Sequence, residues 1–173
     1  MKNLYLDIIA RIRSKITEAV LPHIDIWNNQ IEQMEAQELY TFPVPAVFIE
    51  LVNTQDVQQL GKGLQIYNDL TIIFHVVHQQ LDAGDGFQDR NDEVFDLKQT
   101  LYAALDNFEP DGAGMFARQS ETEDKSHTNI YHFLQQYKTN FVDISRQKPI
   151  GGVFTTPPTD LEINPVTVVD EII

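Results

Sequence analysis

Apolar residues recur at three- and four-residue steps through Leu4, Ile8, Ile9, Ile12, Ile16, Ala19 and Val20, with charged residues filling most of the positions between them. That period predicts an amphipathic helix stopped by Pro22. Its stripe reads as a core face, because acidic and basic residues mix on the other side. The period then changes to two. His23-Ile24-Asp25-Ile26-Trp27 alternates like a strand, whereas IEQMEAQEL offers helix formers without a clear apolar face and reads as loop or short helix.

Residues 44–52 are short, β-branched and apolar with prolines only at the start, the pattern of a largely buried strand. A polar stretch from Asn53 to Gly63 follows and leads into a long strand over 64–80. Leu64, Ile66, Leu70, Ile72, Phe74 and Val76 share one of its faces, so the two strands predict a hairpin with a long tip. Asp89, Asn91 or Asp92 is placed to cap a second helix, whose stripe is Val94, Leu97, Leu101, Leu105 and Phe108 and whose end is Glu109-Pro110-Asp111-Gly112. Met115–Arg118, a polar turn at SETEDKSHTN, and a strand with Tyr131, Phe133, Tyr137 and Phe141 on one face predict a closing antiparallel hairpin. From Arg146 onward prolines and glycines punctuate a chain that ends in NPVTVVDEII, which reads as an extended C-terminal arm.

The fold class expected is α+β. It has a mostly antiparallel sheet of about four to five strands, two helices on one face, and an arm over 146–173 beside a domain over 1–145. Composition is consistent with this: 173 residues, 42% hydrophobic and 22% charged, suit one globular domain. The absence of cysteine excludes disulfides, thiolate nucleophiles and cysteine-bound zinc. A formal charge of −14 disfavours binding to the outside of nucleic acid. No run approaches the ~18 apolar residues of a membrane span, and the N-terminus carries charges where a signal peptide needs an apolar core, so a soluble, unprocessed chain is expected.

Candidate chemistry concentrates in HVVHQQLDAGDGFQDRND. His75 and His78 look like metal ligands with Asp82, Asp85 or Asp89, but residues three apart on a strand point to opposite faces, one toward the helices and one toward solvent. Counting a calcium loop from Asp82 puts Glu93 at the twelfth position, yet the third, fifth and sixth positions are Gly84, Gly86 and Phe87. Gly61-Lys62-Gly63 lacks phosphate-loop spacing and reads as a turn. Ser120, Ser126 and His127 fall in the polar turn, where serines commonly stabilise backbone. Trp27 reads as core or subunit contact. No catalytic frame is present, so neither an enzyme nor a cofactor or metal is expected; a metal-dependent enzyme on His75 or His78 is the remote alternative.

The order of these elements, with VPAVFIEL, IYNDLTIIFHVVHQQ, NDEVFDLKQTLYAAL and YHFLQQYKTNFVD, resembles the tail-terminator or tail-completion proteins of long-tailed bacteriophages and prophages over Met1 to Ile144. The resemblance implies a structural subunit of the virion tail, assembled in the host cytoplasm as a ring, typically hexameric, that caps the tail tube. Its implied partners are other copies of itself, the tail tube protein and a neck or connector protein, with DNA passing through the lumen unbound and no membrane contact. A neck or connector component is the alternative. Gln58, Leu60 and Lys62 in the tip and Phe154, Val166 and Val168 in the arm are the expected subunit contacts.

Overall fold

A computed structural model describes residues 1–37, 42–53, 55–61, 63–79, 89–127 and 130–145. Three helices, α1 (Lys2–Lys15), α2 (Gln30–Gln37) and α3 (Asp89–Leu105), accompany six strands: β1 (His23–Ile26), β2 (Ala46–Asn53), β3 (Gln58–Leu60), β4 (Leu64–Gln79), β5 (Ala117–Asp124) and β6 (Ile130–Asp143). The strands form one open sheet in the order β1-β2-β4-β6-β5, with β3 also paired to β4. The class is α+β as expected. One pair departs from the antiparallel rule: β1 runs parallel to β2, with His23 opposite Ala46. A parallel pair cannot be joined by a tight turn, and here the connection contains α2. None of the described helices is long and apolar enough to cross a membrane.

Both sheet faces carry a core, which corrects the expectation of helices on one side only. On the first face α1 (Leu4, Ile8, Ile12) and α3 (Val94, Leu97, Leu101, Leu105) cover Val47, Ile49, Ile72, Phe74, Val76 and Tyr137. On the second, Ile31 and Met34 of α2 join Phe42, Ala46, Phe48, Val77 and Ile130, with Trp27 against them. The weak apolar stripe of α2 suffices because it covers only the β2 end of the sheet.

The amphipathic stripe overstates the first helix, which ends at Lys15. Ile16 is extended (φ −124°, ψ 117°), and Thr17 O accepts hydrogen bonds from Val20 and Leu21 N–H. This turn buries Leu21 completely and leaves Val20 more than half exposed. Arg13 fixes it by donating to the Leu21 and Pro22 carbonyls. α3 likewise ends at Leu105, short of Phe108, and just beyond this end Asn107 takes a left-handed conformation (φ 57°) that terminates helices. Phe108 still packs on the core.

The hairpin tip is tighter than the polar run 53–63 implies. β3 pairs with β4 from Gln58 opposite Ile66 to Leu60 opposite Leu64. A bulge between Tyr67 and Leu70 changes the side-chain parity of β4. Tyr67, opposite Phe141, therefore packs on the first core, while Ile66, opposite Val142, belongs to the second face together with Leu64. These two do not share a face with Leu70–Val76. At the far end, SETED is strand, not turn: β5 is an edge strand with little burial, so its residues need not be apolar. Gln58 and Leu60 are exposed on β3, whereas Lys62, Phe154, Val166, Val168 and the whole 146–173 arm lie outside the described residues.

Gly112 makes a testable close approach. Its φ is +73°, an added Cβ would meet Val142 O at 3.2 Å, and its carbonyl accepts from Val142 N–H. Gly112→Ala is expected to lower stability by about 1–2 kcal/mol in chemical denaturation. Gly61→Ala, with nothing within 4 Å of the added carbon, should change it by less than about 0.5 kcal/mol.

Candidate functional site

The second face carries a chain of ionisable groups running across four neighbouring strands. His75 of β4 lies opposite Phe48 of β2 and Leu134 of β6, and His132 of β6 lies opposite Val77 of β4 and Asp124 of β5. Cross-strand partners share a face, so these registers bring both imidazoles together on the second face, against the Trp27 ring. His75 Nε2 lies 3.1 Å from Glu50 Oε2 and His75 Nδ1 lies 3.0 Å from His132 Nε2. His132 Nδ1 lies 3.3 Å from Asp124 Oδ2, and His127 Nε2 lies 3.5 Å from the same oxygen.

Two members, His75 and Asp124, are held from outside. The Trp27 indole stacks on His75 with ring centres 3.8 Å apart and planes within 5°. The residue is placed there by its backbone N–H, which donates to Ile49 O at 2.9 Å and continues the β1 pairing. Asp124 Oδ1 accepts from the backbone N–H of Ser126 at 3.0 Å and from its hydroxyl at 2.7 Å. The serine thus stabilises the turn as its composition suggests, and in doing so aims the other carboxylate oxygen at the histidines. A second bulge, between Arg118 and Ser120, sets the parity of β5 so that Asp124 faces His132.

The electrostatics follow from burial and these contacts. His75 and His132 are 4% exposed. Burial pushes the His75 pKa down against the pull of Glu50. It pushes His132 down to about 4, with help from His75 and against Asp124. Asp124 is lowered to about 2, first by the Ser126 hydroxyl and then by the Ser126 N–H. Near neutral pH this is a pair of neutral imidazoles between two carboxyl groups. One atom is unsatisfied: although His132 Nδ1 is close to Asp124 Oδ2, the approach is not aligned for a hydrogen bond, and this buried nitrogen has no hydrogen-bond partner.

His75 and His78 do point to opposite faces, as alternation requires. His78 sits on the first face, 4.0 Å from Glu93. His75, however, faces no open solvent: it is buried, and the Trp27 indole stacks on it. Of the aspartates grouped with these histidines by sequence, Asp82 and Asp85 lie outside the described residues and Asp89 begins α3. The structure instead gathers Glu50, Asp124, His127 and His132, which were not grouped by sequence. The signal that points to them is the even-numbered set Ile130, His132 and Leu134, opposite in parity to the Tyr131–Phe141 stripe. Combining it with Asp124 required the hairpin register, which composition does not supply.

A second charged cluster lies on the first face. Lys98 pairs with Glu121 at 2.5 Å and lies 3.9 Å above the Phe133 ring, and Gln135 donates to both Lys98 O and Glu121. These groups satisfy one another and lock α3 to the β5–β6 hairpin. No protein-family model matches the chain, and no curated protein is significantly similar to it.

Proposed function

We propose that the chain is a structural assembly subunit that associates with copies of itself through sheet edges, in the manner of a phage tail terminator capping a tube as a ring. The observation that carries this reading is the open sheet. Among the described residues β1, β3 and β5 each pair on one side only. Exposed apolar side chains sit on two of these edges: Ile26 on β1 and Leu60 on β3. Unpaired backbone groups beside apolar side chains form a template for another strand. Gln58 and Leu60 are the described residues assigned to the subunit contact, and the arm bearing Phe154, Val166 and Val168 would extend it. The charge of −14 supports the reading further, since an acidic lumen repels DNA phosphates.

Mass photometry of the purified chain tests the proposal. The expected result is a closed oligomer in the wild type and at least about a tenfold weaker association for Leu60→Lys, because a lysine on an edge strand opposes pairing. A wild-type chain that stays monomeric at micromolar concentration and in the presence of tail tubes rules the proposal out. Gene deletion separates the terminator from the neck or connector alternative: overlong tubes indicate the first, normal but unattached tails the second.

A further inference from the structure

We infer that Asp124, His127 and His132 bind one divalent transition-metal ion at the closed end of the β5–β6 hairpin. One donor atom from each of the three lies within 4.8 Å of the others. The two separations measured from Asp124 Oδ2 are 3.3 Å to His132 Nδ1 and 3.5 Å to His127 Nε2. Ligand atoms about 2.0–2.2 Å from a tetrahedral ion stand about 3.3–3.6 Å from one another. The two edges from Asp124 therefore match such an ion, and the third pair of donors, on His127 and His132, lies within 4.8 Å.

A count of hydrogens leads to the same point. Three polar contacts join Glu50 to His75, His75 to His132 and His132 to Asp124. Each needs one hydrogen between two lone pairs, and two neutral imidazoles carry only two N–H groups. If His75 Nε2–H donates to Glu50 and His132 Nε2–H donates to His75 Nδ1, His132 Nδ1 keeps a lone pair and no hydrogen, 3.3 Å from the Asp124 carboxylate. That nitrogen is the buried atom left without a hydrogen-bond partner. A cation between these groups converts an unfavourable contact into coordination bonds.

The surroundings have the form of a metal site's outer layer. With that placement of hydrogens His75 accepts from His132 and donates to Glu50, an extended version of the carboxylate–histidine–metal arrangement that fixes the ligand's tautomer. Trp27 fixes the plane of His75, and Ser126 fixes Asp124. Two imidazoles and one carboxylate suit zinc or another late first-row ion, and three protein ligands leave a position for water. Asp124, about one third exposed, provides the way in. This inference does not rest on the assembly reading: the site lies within one subunit.

Zinc and cobalt(II) titrations test it on the full chain, freed of any affinity tag and stripped with chelator. The expected result is one equivalent bound per chain, with the intense visible absorption of four- or five-coordinate cobalt. His127→Ala, a change in a turn that leaves the sheet intact, should weaken binding by more than about 100-fold, and Glu50→Gln, acting through His75, by about tenfold. His78→Ala should bind like the wild type. The proposal is overturned if the stripped chain takes up no zinc or cobalt at micromolar concentration, if His127→Ala binds unchanged, or if His78→Ala abolishes uptake. Circular dichroism of each variant separates lost ligation from lost folding.

Discussion

Phe74→Ala should lower the unfolding free energy by about 3–5 kcal/mol, enough to leave a typical domain marginal at room temperature. Phe74 is fully buried at the middle of β4, between Ile49 of β2 and Gln135 of β6, and its ring meets Tyr137 edge-on at 5.5 Å. Central strands on both sides leave little room for the sheet to collapse into the gap, which places the cost toward the upper end of the range. Urea titration should show a lower midpoint with an unchanged slope. Phe95→Ala, on the exposed side of α3, should shift stability by no more than about 0.5 kcal/mol. Equal effects at the two positions would mean that α3 does not pack as described.

The metal-free protein should lose stability as pH falls from about 6.5 to about 4. The sign follows from proton binding. Unfolded histidine takes a proton near its ordinary value, whereas folded His132 does so only at about 4, so in that interval the unfolded state binds more protons and acid favours it. His132 alone accounts for about 3 kcal/mol across the window, as an order of magnitude. His75, also held down by burial, acts in the same direction. Glu50, Asp124 and His127 are the charged or titratable groups facing the pair, and Asp124, lowered to about 2, carries the same trend further into acid. Urea titrations in chelator at about pH 7 and about pH 4.5 measure it, with His132→Gln expected to flatten the dependence. A wild-type stability that is level between those conditions contradicts the burial of this pair.

Strand and helix existence was legible in the sequence wherever one face is buried: Leu4–Ile12, Val47–Leu51, Ile72–Val76 and Tyr131–Phe141 all follow the period of their element. Boundaries were legible only where a local residue forces them. Ile16 and Asn107 turn the chain for reasons of backbone geometry that the apolar stripe through Val20 and Phe108 does not carry. The parity of Leu64 and Ile66 depended on a bulge, and the second core on a parallel connection, both of which are properties of pairing between distant segments. For that reason His75 could be separated from His78 by simple alternation, yet its partners His132 and Glu50 emerged only from the register of three strands.

The central ladder also bears on how the chain folds. Its longest pairing, β4 with β6, matches Gln79 to Ile130 at one end and Gln65 to Asp143 at the other, so every rung joins positions more than about fifty residues apart. The hairpins at 58–66 and 117–138 can zip locally, but the strand between them must wait for α3 to bring its partner home. A search of that kind places the domain among slow folders, in milliseconds to seconds, with the edges of β4 uncovered in the interval. A strand as apolar as TIIFHVV, held open that long, is the segment through which newly made chains would find one another before each has found itself.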